Sequence, residues 1–307
     1  MDSLSHLLAL LAPRCEVNLH CRFGGRWQAG HEQMRSGVVP WHFVLRGEGR
    51  LTVGKQTRQM RAGDVILLPH GSPHLMESLV EWGQILPVAH RFNGTLTEVR
   101  TGTDQDALEM LCGEFYFGPH VSWLFAEPAD LIHLHTDERA ECPELELLLN
   151  VLVRESLMAR PGGGAIVRSL GDTLLVLLLR TLLGSEAPPA GLLRLMSDER
   201  LMPAVFAVLE TPEQPWTLES MAARAFLSRA TFARHFARAY HLTPQAWLSQ
   251  LRMAMAARLL RVERQTNLDV IAGRCGFQSQ ASFSKAFKKL YGVTPGEWRR
   301  RQAACRR

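Results

Sequence analysis

A cysteine flanked by basic residues is the first feature of the sequence that could carry chemistry. Cys21 stands between His20 and Arg22. Oxidants attack the thiolate form, which nearby positive charge favours, so Cys21 is a candidate redox residue with Cys15 as a candidate resolving partner. Cys21 could instead join His74 and a second histidine in holding a soft metal ion such as copper(I) or zinc. A buried structural thiol is the third alternative, and the commonest fate of a single cysteine.

The remaining cysteines and the apolar segments bound the class of protein. Six cysteines are scattered along 307 residues and form no C-x-x-C pair, which fits neither a disulfide scaffold nor a zinc ribbon. The most apolar stretch, Leu174 to Leu183, has ten residues, whereas a helix needs about 20 to cross a bilayer. We therefore expect a cytoplasmic protein with no membrane-spanning segment.

Positive charge is concentrated in the last third of the chain. Residues 192–307 contain 19 Lys and Arg against 8 Asp and Glu, whereas residues 1–191 contain 16 against 22. Each Lys or Arg placed on a phosphate releases condensed counterions, so a strongly basic domain is suited to a polyanion. A well-solvated basic surface is the alternative interpretation.

A repeat lies inside this basic region. Eight residues recur at a fixed offset of 51 positions, which indicates one supersecondary unit used twice. Each copy predicts a short helix, a tight turn and a second helix that begins after a capping serine, Ser228 or Ser279, which is the helix-turn-helix arrangement. The residues of the first copy are Ser228, Ala230, Phe232, Phe236, Tyr240, Thr243, Pro244 and Trp247, repeated from Ser279 to Trp298.

The second helix of each copy is predicted to have one apolar and one basic face. At 100° per residue, one stripe collects the residues expected in the core, and the opposite face is small and basic, so it could enter a DNA major groove closely. Pro244 to Val262 predicts a connecting helix of about 28 Å, near one turn of DNA. The predicted core residues are Phe232, Phe236, Ala239 and Tyr240, then Phe283, Phe287, Leu290 and Tyr291; the outward cations include Arg234, Arg238, Lys285, Lys288 and Lys289.

The first part of the chain predicts a different architecture. Residues from about 15 to 135 form short apolar runs bounded by Gly and Pro, as in a small β-sandwich or barrel, and two Leu-rich helices follow from Pro143 and Ile166. Pro, Gly and small residues mark a linker at Gly184 to Gly191. The predicted fold is α+β and multidomain, with a strand-rich sandwich or barrel domain at 1–140, a helical, possibly dimerising, segment and linker at 141–191, and an all-α domain with two helix-turn-helix units at 192–307.

Pro203 to Arg301 resembles the DNA-binding domain of the AraC/XylS family over its full length. The resemblance extends through both helix-turn-helix units, the connecting helix and the final Thr-Pro-x-x-Trp segment. Phe226 stands where the turn often has glycine, so the first turn is expected to differ from the second. The resemblance places Ala230, Ala233, Arg234, Gln280, Ser282, Ser284 and Lys285 on bases, and Arg229, Arg238, Lys288 and Lys289 complete the expected DNA surface.

The first domain resembles the cupin-type sensor domain of the same family. Gly63, Pro69, Gly71 and His74 keep the second cupin motif, whereas only His42 remains of the His-x-His pair of the first. His42, His74 and Cys21 are therefore the candidate metal ligands, and no cofactor is expected to be required. The opening Met1-Asp2-Ser3-Leu4-Ser5, with Cys21 before Trp27, is also similar to a subgroup of these regulators that responds to reactive chlorine.

These observations predict a transcription regulator, with activation as the commoner role that the resemblance implies. Its expected partners are double-stranded promoter DNA, a small-molecule, oxidant or metal effector, RNA polymerase and a second copy of the chain. No enzymatic activity is expected. A cupin metalloenzyme tethered to DNA and a signal-independent architectural DNA-binding protein remain the alternatives.

Overall fold

The chain forms two compact units in the computed structural model, which describes residues 2–102, 108–117, 124–125, 130–136, 143–158 and 160–304. One unit comprises Pro13–Pro189, and the other joins Met1–Ala12 to Ala190–Arg307. The first twelve residues, predicted to belong to the domain at 1–140, are grouped instead with the helical unit.

The first unit is built on two β-sheets. In the seven-stranded sheet the order is β11-β6-β3-β10-β1-β9-β8, and in the four-stranded sheet it is β2-β7-β4-β5. All of the pairings are antiparallel except that of β1 with β9. The strands are β1 (Arg14–Phe23), β2 (Gln28–His31), β3 (Val38–Arg46), β4 (Glu48–Val53), β5 (Gln56–Arg61), β6 (Asp64–Leu67), β7 (His74–Glu77), β8 (Ala89–Phe92), β9 (Thr97–Thr101), β10 (Leu108–Tyr116) and β11 (Ile132–His135).

This arrangement confirms the cupin-like sheet domain. Alternation along β4 buries Gly49, Leu51 and Val53 while the residues between them are more accessible, as expected for a strand with one buried face. The apolar side chains of both sheets form a core that includes Trp27, Val44 and Met110 together with Cys21 and Cys112. Two helices, α2 (Pro143–Leu157) and α3 (Gly163–Leu183), pack on each other, and α3 also packs on β1.

In the second unit, all of the regular secondary structure that the described residues form is helical. Its first helix buries Leu7, Leu10 and Leu11 and contacts the fifth and eighth helices of the chain, so a segment that precedes the cupin unit completes the helical core. Among the described residues, no helix is both long and apolar enough to cross a membrane. The helices are α1 (Ser3–Leu11), α4 (Leu192–Ser197), α5 (Met202–Glu210), α6 (Leu218–Arg224), α7 (Arg229–Tyr240), α8 (Pro244–Val262), α9 (Leu268–Arg274), α10 (Gln280–Tyr291) and α11 (Pro295–Ala304).

Candidate DNA-binding surface and sensor cluster

Serine side chains start both candidate recognition helices. The Ser228 hydroxyl accepts a hydrogen bond from the backbone N–H of Thr231 at 3.2 Å, and the Ser279 hydroxyl accepts one from that of Ser282 at 3.2 Å. Each bond satisfies a donor that the first turn of a helix leaves unpaired. The predicted caps are therefore confirmed, and α7 and α10 begin at corresponding positions of the repeat.

Aromatic side chains anchor the two helices. Phe232 and Phe236 of α7 and Phe283 and Phe287 of α10 are buried, as predicted. The prediction for Leu290 was wrong, because its side chain is 38% exposed. The rings of Tyr291, Phe287 and Trp298 fill the core at this end of α10, with centroids 4.2 and 4.8 Å from that of Tyr291. Tyr291 itself is only half-buried, and its hydroxyl donates to the Met253 carbonyl at 2.8 Å.

The residues predicted to contact DNA lie on the accessible side of these helices. The cations are exposed, whereas two of the small residues are half-buried between neighbouring side chains. Exposed cations beside small residues allow a helix to approach base edges and phosphates together. The exposed residues are Arg229, Ala230, Arg234, Arg238, Gln280, Ser282, Lys285, Lys288 and Lys289, and the half-buried ones are Ala233 and Ser284.

The two turns have the same backbone handedness. Phe226 has φ of 53° and Gly276 has φ of 76°, so both lie in the left-handed region. The expected difference between the turns is therefore absent from the backbone and confined to the side chain. Phe226 is 92% exposed, and a bulky side chain at a positive φ is uncommon.

The connecting segments follow their sequence signals. The predicted connecting helix, α8, extends over Pro244–Val262, begins after Thr243 and has proline in its first turn. Thr294 and Glu297 form the predicted capping box before α11, since each side chain accepts the other residue's backbone N–H, at 3.3 and 2.8 Å. Each helix-turn-helix unit thus leads directly into a further helix.

A line of polar side chains crosses the core of the cupin unit. On the seven-stranded sheet, His42 of β3 lies directly opposite Cys112 of β10, and its Nδ1 is 3.1 Å from the Cys112 Sγ. The Cys112 Sγ is in turn 4.0 Å from the Sγ of Cys21 on β1. All three residues are buried.

The four-stranded sheet contributes two further histidines to this line. The Nε2 of His74 on β7 is 3.1 Å from that of His42, and its Nδ1 is 3.0 Å from the Ser72 carbonyl oxygen. His31 of β2 lies opposite His74, and their rings stack with centroids 4.5 Å apart. His31 is half-buried and forms the more accessible end of the line. We refer to His31, His42, His74, Cys112 and Cys21 as the sensor cluster.

The hydrogen bonds determine the tautomers in the sensor cluster. Because the Ser72 carbonyl can only accept, Nδ1 of His74 carries a proton and its Nε2 is an acceptor. His42 therefore donates from Nε2 to His74 and accepts at Nδ1 from the Cys112 thiol. Burial lowers the pKa of His74 to about 4 and that of His42 well below its ordinary value. The neighbouring Cys21 side chain, together with burial, raises the pKa of Cys112 well above its ordinary value. His42, His74 and Cys112 are thus uncharged near pH 7.

The side chains of His20 and Arg22, the sequence neighbours of Cys21, do not lie beside the Cys21 thiol. Adjacent residues of a strand point to opposite faces, and His20 instead pairs with Glu109, with 2.8 Å between its Nε2 and the carboxylate. Cys15 is also separated from Cys21. The register of β1 against β10 shifts between Val17 and Leu19, which reverses the facing of the strand. Cys15 accordingly lies under α3, at Gly171, where burial raises the pKa of its thiol.

Sequence reasoning missed two members of the sensor cluster, Cys112 and His31. Neither belongs to a motif, and only the pairing of distant strands brings them beside His42 and His74. The proposed ligand Cys21 reaches the histidines only through Cys112. In the described part of the chain, no three His, Cys, Asp or Glu side chains are arranged to hold a metal ion. The contacts of the cluster form a hydrogen-bonded network, and the metal-binding role of His42, His74 and Cys21 stays a prediction.

Comparison with known proteins connects both halves of the chain to one family. Residues 2–184 match the cupin family model, and residues 221–301 match the helix-turn-helix domain model. The chain belongs to the AraC family of transcriptional regulators. As a regulator of this family, it combines a cupin-like N-terminal domain with a helix-turn-helix region that binds DNA.

Relatives resemble the regulator over almost their whole length. An uncharacterized HTH-type transcriptional regulator of Haemophilus influenzae is 31% identical over 98% of this chain and 99% of its own. The HTH-type transcriptional regulator MtrA of Neisseria gonorrhoeae is 31% identical over 98% of both chains. The RCS-specific HTH-type transcriptional activator RclR of Escherichia coli is 29% identical over 98% of both. All three are named as regulators of transcription rather than as enzymes.

Proposed function

We propose that the regulator binds a bipartite promoter site by placing α7 and α10 in successive major grooves. The observation that supports this best is the repeated pair of helices, each capped by serine, anchored by buried phenylalanines and exposing cations beside small residues. The 19 residues of α8 extend over about 28 Å at 1.5 Å per residue. That length is close to the ~34 Å between successive major grooves on one face of DNA.

In this proposal, residues within each helix have different tasks. Arg234 and Lys285 lie one turn into their helices, beside the small residues Ala230, Ala233, Ser282 and Ser284, and are assigned to base edges. Arg229, Arg238, Lys288 and Lys289 are assigned to phosphates, which strengthen binding without reading sequence. Gln280, at the start of α10, is assigned to a base.

We further propose that the regulator is a cytoplasmic homodimer. It activates transcription with RNA polymerase as its partner. Activation is supported by the printed name of one relative, the transcriptional activator RclR. A dimer is supported by Leu147 and Val151, which are 67% and 45% exposed and lie one turn apart on α2. An apolar stripe of this kind is commonly covered by another protein surface.

The proposed signal is a small oxidant that converts the Cys21 and Cys112 thiols to a disulfide. With hypochlorous acid, one thiol gives a sulfenyl chloride and water, and the second thiol displaces chloride, so that the sulfur–sulfur bond forms and a proton is released. Both thiols are buried, which favours a small uncharged oxidant over a bulky disulfide reagent. The name of RclR, RCS-specific, supports an oxidant signal.

The test selects DNA from random-sequence fragments with the purified full chain, under reducing conditions and after one equivalent of hypochlorous acid. We expect a bipartite site whose recovery changes after oxidation. Cys112→Ser should abolish that change, whereas Cys15→Ser, which removes a buried thiol elsewhere on the domain, should retain it. Glutathione disulfide should have no effect, because it cannot reach the buried pair.

Other outcomes identify other functions. Selection without any enriched sequence would contradict the regulator's DNA specificity and favour an architectural protein. A bipartite site that is indifferent to oxidant but responds to added copper(I) or zinc would make the histidines a metal sensor. Indifference to both would indicate a small-molecule effector. Stoichiometric iron or manganese in the purified protein would reopen the enzyme alternative.

A further inference from the structure

One arginine of α8, Arg252, donates hydrogen bonds to backbone carbonyl groups of the protein itself. The Arg252 guanidinium donates from Nε to the Pro212 carbonyl at 2.8 Å and from Nη2 to the Gln214 carbonyl at 2.7 Å. The same Nη2 lies 3.5 Å from the Glu213 carbonyl. All three acceptors belong to the loop between α5 and α6, which leads into the first helix-turn-helix unit.

A second contact secures the same loop to α8. Gln245 lies seven residues before Arg252 on the same side of the helix, and its Nε2 donates to the Trp216 carbonyl at 3.1 Å. Within the loop, the Trp216 indole N–H donates to the Thr211 carbonyl at 2.8 Å. Both ends of the loop are therefore held, one by Gln245 and the other by Arg252.

The turn of the second helix-turn-helix unit packs against this junction. A Cβ at Gly276 would lie 2.6 Å from the Glu213 carbonyl oxygen and 2.8 Å from Cζ of Arg252, closer than real side chains come. The loop of the first unit, the guanidinium on α8 and the backbone of the second turn thus meet with no room for a methyl group. The corresponding residue of the first turn, Phe226, is exposed and has no such role.

The chemistry of Arg252 suits a brace. Its planar guanidinium offers several donors in a fixed fork, so one side chain can hold several carbonyls at once. Burial lowers the pKa of Arg252 below its ordinary value, but an arginine remains charged at any physiological pH. Bonds from a charged donor are stronger than those between neutral groups.

We infer that Arg252 is a positioning residue that fixes the two helix-turn-helix units relative to each other and thereby sets the half-site spacing the regulator accepts. The inference rests on the proposed bipartite binding of DNA. Each base pair inserted between half-sites moves the second half-site by about 3.4 Å and rotates it by about 35°. A rigid pair of units rejects such insertions, whereas a loosened pair tolerates them.

The experiment uses the full chain and the DNA fragment that it selects from a random pool. Dissociation constants are measured for this fragment, for versions with either half-site scrambled, and for versions with one or two base pairs inserted between the halves. Arg252→Met removes the donors but keeps an unbranched apolar stem. Arg258→Met is the matched control, because Arg258 lies on the same helix and does not bind the Thr211–Trp216 loop.

We expect Arg252→Met to weaken binding of the intact fragment about tenfold, which a loss of one or two such hydrogen bonds would give. Binding to fragments with one half-site scrambled should stay within about twofold. The penalty for insertions should flatten for Arg252→Met and stay steep for Arg258→Met. Arg252→Lys, which keeps the charge without the fork, should restore only part of the spacing preference.

Two outcomes would overturn the inference alone. One is an insertion penalty as steep in Arg252→Met as in the wild type, and the other is equal weakening of intact and half-scrambled fragments, which is the mark of a merely structural role. A wild-type protein indifferent to insertions would instead contradict the bipartite function itself. If Arg252→Met melts below the assay temperature, the same comparison is made with Arg252→Lys.

Discussion

The two units hold their candidate functional residues in opposite ways. In the helical unit, Arg234 and Lys285 are exposed on the side of their helices opposite a buried aromatic stripe. In the cupin unit, His42, Cys112 and Cys21 lie in the core, where each polar group depends on its neighbour for a hydrogen bond. Exposed groups can therefore change at little cost to folding, whereas a change in a buried, hydrogen-bonded group lowers stability.

The largest expected effect is on DNA affinity, and it tests the exposed residues Arg234 and Lys285. The double variant Arg234→Ala/Lys285→Ala should lose about 10²–10⁴-fold in affinity for the selected DNA, since each base contact contributes about 1–3 kcal/mol. The free energy of unfolding should change by less than about 0.5 kcal/mol. Titrations of the selected and a scrambled fragment at one salt concentration, with Arg200→Ala as the control, measure the effect. Equal losses on both fragments would contradict the assignment to bases.

For the buried residues we expect the reverse, namely a loss of stability with no loss of DNA affinity in the reduced protein. His42→Ala should lower the free energy of unfolding of the cupin unit by about 3 kcal/mol, because it opens a cavity and leaves Cys112 and His74 without partners. Reduced protein should keep its DNA affinity. Denaturant unfolding followed by tryptophan fluorescence measures the first quantity. A loss below about 1 kcal/mol would mean that the network is not needed for packing.

The pH dependence of stability should differ between the units. The pKa of His74 is about 4 in the folded protein against 6.5 when unperturbed. Between these values the unfolded chain binds a proton that the folded chain does not, so stability falls as pH decreases from 6.5 towards 4, by about 2–3 kcal/mol. Above pH 6.5 this contribution is fully present. His74→Gln should flatten the slope, and a slope as steep as in the wild type would contradict the assignment to His74.

The smallest effect compares the two copies of the repeat. Ser228→Ala and Ser279→Ala should each lower the free energy of unfolding of the helical unit by about 1 kcal/mol, since each removes one cap. Ser228→Asp and Ser279→Asp, which keep an acceptor at the same position, should cost much less. Thermal unfolding of the four variants provides the comparison. A loss of stability in only one of the two serine variants would show that the two units differ although both have a serine cap.

The same contrast explains what the sequence could and could not predict. The sequence signals that predict α7, α8 and α10 are local. A serine precedes α7 and α10, Phe232 and Phe236 have helical spacing on α7, and a proline lies in the first turn of α8. The error at Leu290 arose at the end of α10, where aromatic rings from α11 and the helix itself fill the core. Periodicity describes one helix and contains no information on its neighbours.

The sensor cluster depends on information that no local pattern contains. Cys21 and Cys112 are 91 residues apart and meet only through the register of β1 with β10. Cys15 is an even number of residues from Cys21, so a regular strand would place both side chains on one face. The bulge between them places Cys15 on the opposite face. Strand register is fixed by the packing of two sheets, so the thiol that lies beside Cys21 could not be chosen from the sequence.

The position of α1 sets an order of events during synthesis. Leu7, Leu10 and Leu11 are made about 190 residues before α5, the first of the helices that α1 contacts. At about 5–20 residues per second, these leucines await their partners for on the order of ten seconds or more, while the whole cupin unit is being translated. The helical unit, discontinuous in sequence, cannot complete its core until α8 has left the ribosome. A nascent chain therefore completes its cupin unit first and its helical unit last.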